Sequence, residues 1–251
     1  MMVVLFNIFF WIFAFAYMAV LALATMALRL FFTYPQIHSR VPAAGFRHII
    51  LFVTLGRFRV TFDPAFDPER LSVFCFNHTN LLDGHTTSAS IPHAFCGLMN
   101  AWQFWIPFYG WLMKLSRGIP IRKKDFGRNL ERITEHALQR RRENMSILVF
   151  PEGHRTPDGR VHRFHKGSIL MARDAGYPVV PAGIRGMYAV NQRGSYLFRP
   201  GPVSVHFGPQ IETAGLSDSG ISDLTRKLQE MVMSYVESPE EVSSQREAVN
   251  T

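Results

Sequence analysis

Cysteine is scarce: the 251 residues contain only Cys75 and Cys96. Two thiols supply neither a disulfide framework nor a four-thiolate zinc site, and a free pair fits a reducing compartment. Cys75 sits in an apolar run and reads as a small core residue. The first 28 residues contain no charged side chain, and Asn7 is their only amide. No HExxH pattern is present, and His154, His162 and His165 share a loop with Arg and Lys that would repel a cation. No GxSxG elbow occurs, and Ser168 in Lys166-Gly167-Ser168 lacks the setting of a hydrolase nucleophile. There is no internal repeat.

Apolar residues make up 47% of the chain and charged residues 18%. That balance fits one substantial domain with an anchor and falls short of a multi-span carrier. The 22 Phe and 11 Met suit surfaces that face acyl chains, and they suit an ordinary core equally well. A formal net charge of +8 fits an anionic partner such as a membrane surface or a phosphorylated substrate.

About 20 apolar residues cross a bilayer, so residues 1–28 read as an uncleaved spanning anchor. A cleaved signal peptide is the rival, with Ala22-Leu23-Ala24 as its site. The stretch lacks a basic n-region and exceeds the usual apolar length of such peptides. Positive charge begins after it, at Arg29, Arg40, Arg47, Arg57 and Arg59. This bias predicts a cytoplasmic catalytic domain. The expected layout is an anchor at 1–32, a catalytic domain at 45–236 and a disordered polar tail at 237–251.

Strands are predicted at 57–63, 71–76, 146–150, 179–182 and 203–207, each an alternating or fully apolar run. Helices are predicted at 125–143, at 168–175 with Gly176 in the capping position, and from Ile221 to Tyr235. Pro181 within its strand suggests a sheet edge or a bulge. Strands alternating with helices point to an α/β layer architecture. Residues 98–115 are dense in Trp, Phe and Tyr, which fits an interfacial helix or buried core.

The strand 71–76 runs into Asn77-His78-Thr79-Asn80-Leu81-Leu82-Asp83. A His just past a buried strand sits on a rigid support, and Asp83 can return through one helical turn to orient its ring. Such a pair suits a general base acting on a hydroxyl; the plainer reading of the same spacing is a helix N-terminal His with a surface Asp. Gly118-Ile119-Pro120-Ile121-Arg122 presents an arginine after a short apolar run. Phe150-Pro151-Glu152-Gly153-His154-Arg155 follows another buried strand, so it lies at the same sheet end as His78 if the two strands are parallel. Arg155 offers a planar fork for phosphate, and Gly153 permits close backbone approach.

These blocks, with Val180-Pro181 after them, resemble the glycerolipid acyltransferases typified by 1-acylglycerol-3-phosphate acyltransferase. The likeness spans residues 70–185, and HxxxxD followed about 70 residues later by FPEGxR is its most specific part. His154 departs from it, standing where Thr or Ser is more usual. The resemblance implies a mixed central β-sheet flanked by helices. It also implies His78 as general base, Asp83 as its orienting partner, and Arg122, Glu152, Gly153 and Arg155 as substrate-binding residues, with no metal. The expected donor is acyl-CoA or acyl carrier protein, with no other cofactor. The default acceptor is 1-acylglycerol-3-phosphate; another lyso-lipid, such as lyso-ornithine lipid, or glycerol 3-phosphate is the alternative. No nucleic-acid partner is expected. A non-enzymatic basic membrane adaptor is the distant rival, and it would be indifferent to loss of His78.

Overall fold

Residues 2–38, 41–121 and 130–237 are described by the computed structural model of the chain. A long apolar helix, α1 (Met2–Leu28), leads into α2 (Tyr34–Ile37) and α3 (Pro42–Val53). Next come β1 (Phe58–Phe62), β2 (Val73–Phe76), α4 (Asp83–Ser88) and β3 (Phe95–Asn100). A 3-10 turn over Ala101–Trp105 leads to α5 (Tyr109–Leu115) and β4 (Ile119–Ile121). The chain then forms α6 (Leu130–Arg142), β5 (Ser146–Val149), α7 (Gly167–Asp174) and β6 (Val179–Arg185). It ends with α8 (Met187–Val190), β7 (Val203–Phe207) and α9 (Asp218–Val236).

The strands form one sheet in the order β1-β7-β6-β2-β5-β3-β4. All pairings are parallel except β6 with β7, so the sheet is mixed, as expected. Every residue of β2 and β5 is buried, which is the pattern of parallel strands covered on both faces. Alternation sends Phe74, Phe76 and Leu148 to the face covered by Phe10 and Leu21 of α1 and Ile49 and Ile50 of α3. Val73, Cys75 and Val149 point the other way, onto Ile133 of α6, Ile169 of α7 and Leu228 of α9. Burial pushes the Cys75 thiol well above its ordinary range, in keeping with a core role.

Helix α1 is the one helix among the described residues long and apolar enough to cross a membrane. It has two unlike sides. Phe10, Leu21 and Ala22 are buried on the domain, whereas Phe9, Ile12 and Val20 are exposed. Asn7 fastens the helix to the loop after α8: its Nδ2 donates to Phe198 O at 2.9 Å, and its Oδ1 accepts from Phe198 N–H at 2.6 Å.

Two expectations change. Residues 98–115 do not form a single helix; they pass from β3 through the 3-10 turn into α5. Trp102 and Trp105 are exposed there while Leu112 is buried, so the segment is neither wholly core nor wholly surface. Strands β3 and β4 carry no strong signal of their own and exist through the pairing Leu98↔Ile119. Strand β6 is interior rather than an edge, lying between β7 and β2. Pro181 is tolerated because the β7 ladder begins only at Ala182, leaving Pro181 O to accept from Gly208 N–H at 2.8 Å. Of the helix expected at 125–143, residues 125–129 lie outside the described residues, as does the tail from 238.

Candidate active site

Strands β2 and β5 are parallel neighbours, with Cys75 beside Val149. Their C-terminal ends therefore deliver the His78 and Glu152 loops to one end of the sheet. Two asparagines hold the first loop. Asn77 Oδ1 accepts from Ile184 N–H at 2.8 Å and its Nδ2 donates to Ile184 O at 3.0 Å. Asn80 Nδ2 donates to the carbonyls of Met187 and Asn191 at 2.6 and 2.8 Å. Both side chains are buried, and a buried amide after an apolar strand is the sequence signal that marks such a clamp.

Asp83 opens α4 and is buried. Its Oδ2 accepts from His78 Nδ1 at 2.8 Å, from Thr79 N–H at 2.7 Å and from Asn80 N–H at 2.8 Å. The imidazole carries its proton on Nδ1 toward the carboxylate, which leaves the Nε2 lone pair to act as base. Phe150 lies against the other side of the pair: its ring stacks on His78 at 4.1 Å between centroids.

Glu152 is buried rather than presented to solvent. Its Oε2 accepts from His78 N–H at 3.2 Å and its Oε1 from His162 N–H at 3.3 Å, which ties the two loops together. Burial raises its carboxyl to about 9, so it is protonated at neutral pH. Thr156 N–H donates to His78 O at 2.8 Å and closes the same junction. The N–H groups of His78, Thr79 and Asn80 are thus all committed, and none is left there for an oxyanion.

His78 opens onto a cavity of about 650 Å³. Its lining includes the apolar side chains of Phe46, Phe95, Leu98, Met99, Met113 and Leu148. It is also lined by His78, Glu152, Gly153, His154, His165, Lys166 and Ser168. Gly153 has φ +73, a backbone that side chains rarely adopt. Arg155 does not line this cavity; it is half-buried and its guanidinium makes no hydrogen bond or ion pair among the described residues. Arg122 lies outside the described residues. The structure thus brings together His78, Asp83, Glu152 and Gly153, and sets Arg155 just beyond them. Among the described residues no three His, Cys, Asp or Glu side chains gather into a metal-ligating group.

A sequence family described as Acyltransferase matches residues 57–185, just over half of the chain. The chain belongs to the acyltransferase family. The match contains the His78–Asp83 pair and the cavity-lining Glu152, Gly153, His154, His165, Lys166 and Ser168. Among acyltransferase relatives, the 1-acyl-sn-glycerol-3-phosphate acyltransferase of Limnanthes alba is 25% identical over 65% of this chain and 58% of its own length. The enzyme of that name from Pseudomonas aeruginosa is 28% identical over 51% of this chain and 49% of its own. The chain therefore spans about half the length of these curated relatives. The crystal structure of the 1-acyl-sn-glycerophosphate (LPA) acyltransferase PlsC from Thermotoga maritima superposes with a TM-score of 0.75. It covers 96% of this chain and 95% of its own at 21% identity, a likeness of fold.

Proposed function

We propose that the chain is a membrane-bound O-acyltransferase that moves a fatty acyl group from acyl-CoA or acyl carrier protein to the free hydroxyl of a lysophospholipid. We take 1-acylglycerol-3-phosphate as its acceptor, giving phosphatidic acid. The observation that carries this reading is the 2.8 Å contact between His78 Nδ1 and Asp83 Oδ2, with His78 lining a cavity rich in apolar side chains.

His78 Nε2 takes the acceptor's hydroxyl proton as the oxygen bonds to the thioester carbonyl carbon. Asp83 stabilises the imidazolium through Nδ1–H. The carbon–sulfur bond then breaks, and the thiolate leaves with the proton returned by His78. This sequence balances without a covalent acyl-enzyme and with no cofactor beyond the donor. A general base contributes about 10²–10⁴-fold, and positioning both substrates in one cavity supplies further rate.

The exposed face of α1, together with exposed Leu30, Phe31, Trp102 and Trp105, supports attachment to a bilayer. The arginines that follow α1 support a cytoplasmic catalytic side. The test uses membranes carrying wild-type or His78→Ala protein, labelled acyl-CoA and a panel of lyso-lipids. The expected result is transfer to 1-acylglycerol-3-phosphate that falls about 10²–10⁴-fold in the variant. Transfer at an undiminished rate in His78→Ala overturns the mechanism.

A further inference from the structure

The cavity lining contains a second feature that acyl transfer by His78 and Asp83 does not use. Helix α7 begins at Gly167, with Lys166 in the capping position. Lys166, Gly167 and Ser168 all line the cavity. Lys166 O already accepts from Ile169 and Leu170 N–H, at 3.0 and 2.9 Å. The N–H groups of Lys166, Gly167 and Ser168 have no acceptor among the described residues. Ser168 is only 5% exposed, and its buried Oγ has no hydrogen-bond partner. A buried hydroxyl with no partner carries an energetic cost, and this one sits at the positive end of a helix beside a lysine.

We propose that the N-terminus of α7, with the Lys166 ammonium and the Ser168 hydroxyl, is a phosphate-binding site inside the substrate cavity. Unpaired N–H groups at a helix start, the helix dipole and an adjacent cation together favour a compact anion. Lys166 is exposed and makes no ion pair among the described residues, so it can turn toward such a ligand. Among the described residues the one carboxyl lining the cavity, Glu152, is protonated at neutral pH and does not repel a phosphate. Lys166, Gly167 and Ser168 of the α7 start line the cavity, whereas Arg155 does not. Which substrate brings the phosphate, the acceptor's monoester or the donor's diphosphate, rests on the acyl-transfer reading. The site itself does not.

The test is calorimetric binding of inorganic phosphate, glycerol 3-phosphate and free coenzyme A to purified full-length protein, with glycerol as the neutral control. Wild-type protein binds the phosphates and not glycerol. Lys166→Met, at an exposed position, and Ser168→Ala each weaken that binding about 10-fold, as expected for losing a charged hydrogen-bond partner. Arg226→Ala, which removes an exposed charge from α9, leaves it unchanged. A raised KM for 1-acylglycerol-3-phosphate in Lys166→Met assigns the site to the acceptor, and a raised KM for acyl-CoA assigns it to the donor. Unchanged phosphate affinity in Lys166→Met overturns the proposal, whatever Ser168→Ala does to folding, and so does equal weakening in Arg226→Ala. His78→Ala separates the two readings: it keeps phosphate binding while losing transfer. If wild-type protein transfers no acyl group but Lys166→Met still loses phosphate, the site stands and the acyl-transfer reading fails.

Discussion

The ring of Phe150 lies flat on the imidazole of His78, with 4.1 Å between centroids and 18° between planes. The two residues come from the ends of parallel neighbours β2 and β5, so the stack converts sheet register into ring orientation. An aromatic pair contributes about 0.5–1.5 kcal/mol beyond burial. Phe150→Ala should therefore lower kcat by up to about 10-fold, with a smaller change in the acceptor's KM, and Phe150→Tyr should restore it. Steady-state rates on 1-acylglycerol-3-phosphate decide the matter; a loss confined to KM would mean the ring touches substrate rather than orienting the base.

Asp83 has two separable duties, because one oxygen serves both the His78 ring and two backbone N–H groups. Asp83→Asn keeps an acceptor of similar size but removes the charge that stabilises the imidazolium. Its expected signature is a kcat loss of about 10²–10⁴ with a modest drop in Tm. Asp83→Ala also strands the N–H groups of Thr79 and Asn80, each costing about 1–3 kcal/mol. It should lose both activity and several degrees of Tm. Equal thermal stability in the two variants would contradict the bonding described.

Glu152 makes stability depend on pH with a definite sign. Its carboxyl titrates near 9 in the fold, raised by burial from the ordinary value of 4.5. The unfolded chain therefore releases the proton first as pH rises. Between about 5 and 9 the folded state loses up to about 1.4 kcal/mol per pH unit relative to a variant without this group. Glu152→Gln removes the titration and gives up one of the two N–H contacts, so it should start less stable at pH 5 and gain on wild type toward pH 9. Unfolding curves at matched pH values test this, and parallel Tm profiles across that window would refute it.

The parts of the fold legible from sequence are those where one residue type repeats with a period. Strands β2 and β5 are unbroken apolar runs closed by Asn77 and by Phe150-Pro151, and α9 presents Ile221, Leu224, Leu228 and Val232 at helical spacing. Strand β3 contains Gly97 and no β-branched residue, and β4 is three residues around Pro120. Both depend on partners distant in sequence, which a local pattern cannot report. The His78 and Asp83 spacing exposed the chemistry because a short non-helical turn between them brings Asp83, the first residue of α4, back to the ring. The burial of Glu152 and the direction of α7 arise only when separate loops meet. The motif implies a substrate-binding role for Glu152, and in the structure its carboxyl ties the backbones of His78 and His162 together.

Asn7 is a polar group within an otherwise apolar helix, and its pairing with Phe198 decides how α1 behaves. Both polar groups of the amide are used, and Phe198 and Asn7 are buried. Trp11 Nε1–H adds a 3.0 Å bond to Tyr196 O one turn further along. Asn7→Leu suits a lone bilayer span better than asparagine does, so a helix independent of the domain would be unaffected or stabilised by it. A docked helix responds in the opposite way, because the substitution leaves Phe198 N–H and C=O buried without partners at about 1–3 kcal/mol each. Amide hydrogen exchange in bilayer nanodiscs separates the cases. The expected result is exchange at residues 196–198 about 10-fold faster or more in Asn7→Leu, with the central strands unchanged. Identical protection in the two proteins would show that α1 leaves the domain when lipid is present.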